Sequence, residues 1–205
     1  MIRDNREYRN LGALEARQEE DNYIVEGYAS TFDAYPLFED EGITYYERIE
    51  PTAFNFADMS DVVFLRDHEG RVLARTKNDS VQLSVDEHGL KVRANLGLTG
   101  ASREMYEDIS VNNYTQMSFA FTVEDDYIDD KTKTRVITRM KKLFDVSAVA
   151  FPANPFTDIG VSARDRFNGV IEARRLELAK KARIEEIRKR TLLKLKIEEG
   201  VEHGN

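Results

Sequence analysis

Between Tyr23 and Phe151 the chain runs in short stretches whose side chains change character at every second residue. That period confines it to a fold built mainly from strands. Tyr23 to Phe32 (YIVEGYASTF), Ile43 to Ile49, Asp61 to His68, Ser80 to Asp86, Gly89 to Leu96, Met117 to Val123, Thr132 to Ile137 and Met140 to Phe151 all read this way. Gly27 predicts a bulge or a close approach, Asp33 to Gly42 with Pro36 a loop, and Pro51 a turn or short helix through Phe54. The signal Asp86-Glu87-His88-Gly89 joins two of the strands, and an acidic loop is expected from Glu124 to Asp130. One helix interrupts the series. Ala101, Met105 and Ile109 recur at four-residue spacing after Gly100, and Asn112-Asn113 tolerate the left-handed geometry that ends it.

The 205 residues suffice for one domain with appendages. The expected boundaries are a lead segment at 1–20, a main domain at 21–162 and a helical extension at 163–205. The extension contains no proline, and Arg164 to Glu199 would span about 54 Å as one continuous helix. Its apolar stripe drifts from Phe167 and Ile171 to Leu192 and Ile197, which disfavours a sustained coiled coil. The same stretch carries 12 Lys and Arg against 7 Asp and Glu, although the chain as a whole has a net charge of -8. The body is therefore strongly acidic, which argues against nucleic acid as the main partner. The basic extension reads as a segment for binding protein. With no cysteine there are no disulfides, thiolate nucleophiles or cysteine-ligated metals. No stretch reaches the roughly 18 apolar residues of a membrane span. Met1 to Asn10 lacks the apolar core of a secretory signal, so a soluble, non-exported protein is expected.

Three residues carry chemistry. In Met117 to Val123 the large apolar side chains share one face and Ser118, Ala120 and Thr122 the other, so Ser118 is a rigidly held hydroxyl that another chain could approach. Serine needs a base, and histidine is the usual one. His68 ends the run DVVFLRDH, where it is expected to be half exposed. Asp145 lies within the apolar strand LFDVSAVAF, where a lone carboxylate would be costly, so it requires a partner: an imidazole, or one of the cations Arg66, Lys141 and Lys142. Ser147 is an alternative nucleophile, and His88 lies in a hairpin turn. His68, His88 and His203 are too widely spaced for a zinc pattern, so no metal and no cofactor are expected.

YIVEGYASTF, ERIEPTAF at Glu47 to Phe54, FLRDHEGRVLAR at Phe64 to Arg75, the helix leading into QMSFAF, and LFDVSAVAFPANP together resemble, in this order, the prohead (capsid maturation) serine proteases of tailed bacteriophages. The resemblance covers roughly Tyr23 to Val161. It implies an α+β fold with an assemblin-like β-barrel of about seven strands flanked by helices, before the long helical extension. It also implies a serine endopeptidase inside the immature capsid in the host cytoplasm, cutting the major capsid protein and its scaffold segment, and itself. On this resemblance Ser118 matches the nucleophile, His68 the general base and Asp145 the acid that orients it. A homodimer or larger oligomer is in keeping with assemblins, and so is a second histidine in the third position, for which His88 is the alternative to Asp145. Ala120 and Ala74 stand where glycines are expected, and either methyl could narrow the approach to the site. The competing expectation is a non-catalytic capsid scaffold or adaptor that binds shell subunits through its C-terminal helix.

Overall fold

A computed structural model describes residues 6–150 and, further on, 167–169, 171–172, 175–176 and 178–192. The chain divides into two units, Met1–Ala163 and Arg164–Asn205. The described residues of the second unit are helical, including 178–192 without a break. The remainder of the expected long extension, and His203, lie outside the described residues.

The first unit is mostly strand. In chain order the strands are β1 (Glu7–Glu19), β2 (Asn22–Thr31), β3 (Tyr35–Asp40), β4 (Ile43–Ile49), β5 (Val63–Arg66), β6 (Glu69–Arg75), β7 (Val81–Val85), β8 (Gly89–Asn95), β9 (Gln116–Asp129) and β10 (Thr134–Val149). The one α-helix described in this unit, α1 (Gly100–Ser110), lies between β8 and β9. The strands form one sheet in the order β3-β4-β10-β9-β1-β2-β8-β7, with β5 added to β10 and β6 to β5. The sheet curls into a half-barrel.

The described residues thus hold ten strands where about seven were expected, for reasons visible in the residues. β1 occupies the stretch expected to be a lead segment. Its charges mask its period, and its partner β9 lies more than a hundred residues away. β3 occupies the expected loop. It is the terminal strand of the sheet, where the missing N–H of Pro36 leaves no ladder position unmet, and Leu37 and Phe38 are buried. β6, with exposed Glu69, Gly70 and Arg71, pairs only with β5, as suits a short charged edge. The acidic loop is instead the end of β9, and the two strands expected after it are one, β10. Arg139 pairs with Glu124 at 3.0 Å and Arg135 with Asp126 at 2.6 Å, so opposite charges compensate across this ladder.

β1 joins the two halves of the sheet, β3-β4-β10-β9 on one side and β2-β8-β7 on the other. Its first half, Glu7 to Ala13, pairs with β9, and its second, Leu14 to Glu19, with β2. The register shifts between Asn10 and Gly12, and a Cβ on Gly12 would sit 1.5 Å from the Tyr28 carbonyl oxygen. Only glycine permits that corner. Gly27 is the close approach the sequence predicted, its α-carbon facing the Ala13 carbonyl. Apolar side chains from β2, β4, β5, β8, β9 and β10, among them Val25, Ile49, Phe64, Val92, Phe119 and Val146, meet inside the curl with Met105 and Ile109 of α1. Thr99 caps α1 by accepting the Ser102 N–H at 3.1 Å, and Ser102 Oγ donates to the Leu73 carbonyl at 2.6 Å, tying the helix to β6.

A buried charged cluster anchors the start of β1. Arg9 donates to Glu47 and Glu7, Arg135 donates to Glu7, Glu47 and Asp126, and Tyr35 donates to Glu47. Burial alone would lower the Arg9 guanidinium's pKa, but the charge of Glu47 leads the effects that hold it well above its ordinary value. Arg135→Ala would take from Glu7, Glu47 and Asp126 the guanidinium they share. Loss of one partner from a buried ion cluster costs about 3–5 kcal/mol, so denaturant unfolding of this variant is expected to show stability reduced by that amount. A loss below about 1 kcal/mol would contradict the cluster's anchoring role.

Candidate active site

β9 presents Ser118 between its two neighbours. Across one ladder Ser118 faces Ser147 of β10, and across the other Asn10 of β1. Both faces of β9 are covered here. Ser118 is only 3% exposed, where the sequence predicted an open polar face. What covers it is chemical. His68 Nε2 lies 2.6 Å from Ser118 Oγ, and the Arg9 carbonyl oxygen lies 2.9 Å from the same atom. A hydroxyl has one proton, so imidazole and carbonyl are alternative acceptors for it.

His68 reaches this position through strain in the backbone. β5 and β6 are joined by Asp67 and His68, both at positive φ (48° and 60°), the signature of a tight two-residue hairpin turn. Glycine or asparagine would adopt this geometry more readily, so surrounding contacts must hold it. The Asp67 N–H donates to the Ala148 carbonyl at 3.0 Å, and Asp67 Oδ1 accepts from the Ala150 N–H at 3.4 Å. Tyr114 lies within reach of the Asp67 charge. Burial, then the Asp67 charge, pushes its phenol above the ordinary range and keeps it a donor. Tyr8 meets the His68 ring edge-on at 4.7 Å between centroids. The imidazole is 14% exposed, less than the half exposure expected of a strand end.

On the other side of the ring, His68 Nδ1 lies 2.5 Å from Asp145 Oδ1. β10 makes this contact possible because it runs parallel to β5, with Asp145 opposite Val63 and Ala148 opposite Arg66, while it carries Ser118 on its β9 side. An ionised carboxylate can only accept, so Nδ1 bears the hydrogen and Nε2 presents a lone pair to Ser118. Such a row can take the proton from a hydroxyl as its oxygen attacks a carbonyl.

The other sequence candidates fall elsewhere. His88 lies in the β7–β8 turn, 69% exposed, beside Glu87 and edge-on to Tyr28. Lys142, weighed as a partner for Asp145, pairs with Asp58 at 2.9 Å. Ser147 is fully buried on the Nδ1 side of the imidazole, away from the nitrogen that faces Ser118. The methyls of Ala74 and Ala120 are buried within the fold rather than on its surface. Tyr8, Asp67, Tyr114 and the Arg9 carbonyl were not picked out in the sequence, since no local period marks a backbone acceptor or a turn clamp. Beside the hairpin, between β6 and α1, lies a cleft of ≈ 270 Å³ with Arg66 and Arg71 among its cations and Glu104 and Asp108 among its acids.

A curled sheet holding alcohol, imidazole and carboxylate in hydrogen-bonded succession is an arrangement that serine hydrolases use. The family model of the Caudovirus prohead serine proteases matches residues 12–169, and the chain belongs to that family. It is a serine peptidase, a hydrolase acting on peptide bonds, with a role in phage capsid maturation and with capsid and scaffold proteins as its partners. No curated protein and no solved structure matches the chain. No helix among the described residues is long and apolar enough to cross a membrane.

Proposed function

We propose that Ser118 is the nucleophile of this peptidase, His68 its general base and Asp145 the acid that orients and stabilises the imidazole. The observation carrying this reading is the pair of short contacts made by one ring, Nε2 to Ser118 Oγ at 2.6 Å and Nδ1 to Asp145 Oδ1 at 2.5 Å. In the first half-reaction Ser118 Oγ bonds to the scissile carbonyl carbon and its proton passes to Nε2. The carbon–nitrogen bond then breaks, and the amine leaves with that proton. Water, deprotonated by the same nitrogen, hydrolyses the ester and restores Ser118. No cofactor enters either step.

The substrate we assign is the major capsid protein with its scaffold segment, cut inside the immature capsid, and the enzyme's own chain is a second substrate. A homodimer or larger assembly is part of the same reading. Coexpression with the capsid protein of the same phage tests it by intact mass. The capsid protein is expected to lose a segment and the protease to shorten. Shells assembled from full-length capsid protein beside an uncut protease would instead favour a scaffold or adaptor.

A further inference from the structure

We propose that Ser147 is a positioning residue of the reaction, whose hydroxyl fixes the Asp145 carboxylate and, through it, the tautomer of His68. The inference rests on the assignment of Ser118, His68 and Asp145 above. Ser147 follows Asp145 by two residues on β10, so both side chains leave the same face of the strand. Its Oγ lies 2.9 Å from Asp145 Oδ1 and 3.2 Å from His68 Nδ1, and the residue has no exposure to solvent.

The placement of protons follows from counting donors. Nδ1 carries a hydrogen directed at Asp145 and cannot accept, so the Ser147 proton goes to Asp145 Oδ1. That oxygen therefore receives two donors from different directions, one on the imidazole and one on its own strand. A carboxylate held by the imidazole alone could rotate about its terminal bond and follow the ring. Held also by Ser147, it keeps its lone pair where Nδ1–H must point, and Nε2 stays unprotonated toward Ser118. Ser147 touches no reacting atom. It acts only through Asp145.

Two variants in the full-length protease test this, Ser147→Ala and Ser147→Cys. The thiol fills nearly the same space but donates weakly, so it separates the hydrogen bond from packing. With the capsid protein as substrate, kcat is expected to fall about ten- to a hundredfold in both, the range for a lost hydrogen bond to a charged group. KM is expected to stay within about twofold. Nitrogen-15 NMR of the His68 ring should change from a single Nδ1–H tautomer to a mixture. A purely structural role would lower the melting temperature and leave the tautomer alone. A folded Ser147→Cys protein with wild-type kcat and an unchanged tautomer would overturn the inference. Ser118→Ala in the same assay separates the two levels: if it is inactive, that failure belongs to Ser147 alone, and if it still cleaves, both assignments fall.

Discussion

Ser118→Ala is expected to reduce cleavage of the capsid protein by at least about a thousandfold while leaving the fold intact. Deleting Oγ removes the hydroxyl whose proton His68 takes as its oxygen attacks the carbonyl carbon. His68 would still accept protons, but nothing in line with its Nε2 would attack. The structural cost is small by comparison. One hydroxyl between the imidazole and the Arg9 carbonyl is lost, and a lost neutral hydrogen bond costs on the order of 1 kcal/mol. Activity and stability should therefore separate cleanly, with an unchanged circular dichroism spectrum and no turnover. Inactivity accompanied by unfolding would say nothing of chemistry, so both are measured on one preparation.

Asp145→Asn is the second large effect, and it works through the histidine. The amide nearly matches the carboxylate in shape, so the strand register with Val63 and Ala120 should survive. An amide can donate where a carboxylate can only accept. If its nitrogen faces Nδ1, the imidazole proton moves to Nε2, and the base then presents a hydrogen to Ser118 in place of a lone pair. A loss of about ten-thousandfold in kcat is expected, the scale of the equivalent change in other serine proteases, with little change in KM. If kcat fell less than about tenfold, the Asp145 contact would be structural only.

The sequence revealed the elements whose period is undisturbed. β2, β4, β7, β8 and α1 lie within a residue or two of expectation, because their apolar positions repeat cleanly between turn signals. β1, β3 and β6 escaped because charges, a proline or an edge position weaken that pattern, and because sheet pairing is decided by partners far along the chain. The chemical types at the candidate site were legible as well: a serine among small residues, a histidine at a strand end and an acid in an apolar run. Their meeting was not. It depends on two successive residues at positive φ, on β10 serving β5 and β9 at once, and on a carbonyl from β1, none of which leaves a period in the residues. The Asp145–Ser147 relation lay nearer the surface of the sequence, since a spacing of two on a strand puts both side chains on one face.

The most direct measurement is reaction of the intact protease with a fluorophosphonate, followed by peptide mapping of the adduct. One equivalent bonded to Ser118, formed far more slowly in His68→Ala and absent from Ser118→Ala, is the predicted result. An adduct on Ser147 or any other residue, or no adduct on a preparation that cleaves its capsid protein, would contradict the assignment of Ser118 as the attacking group.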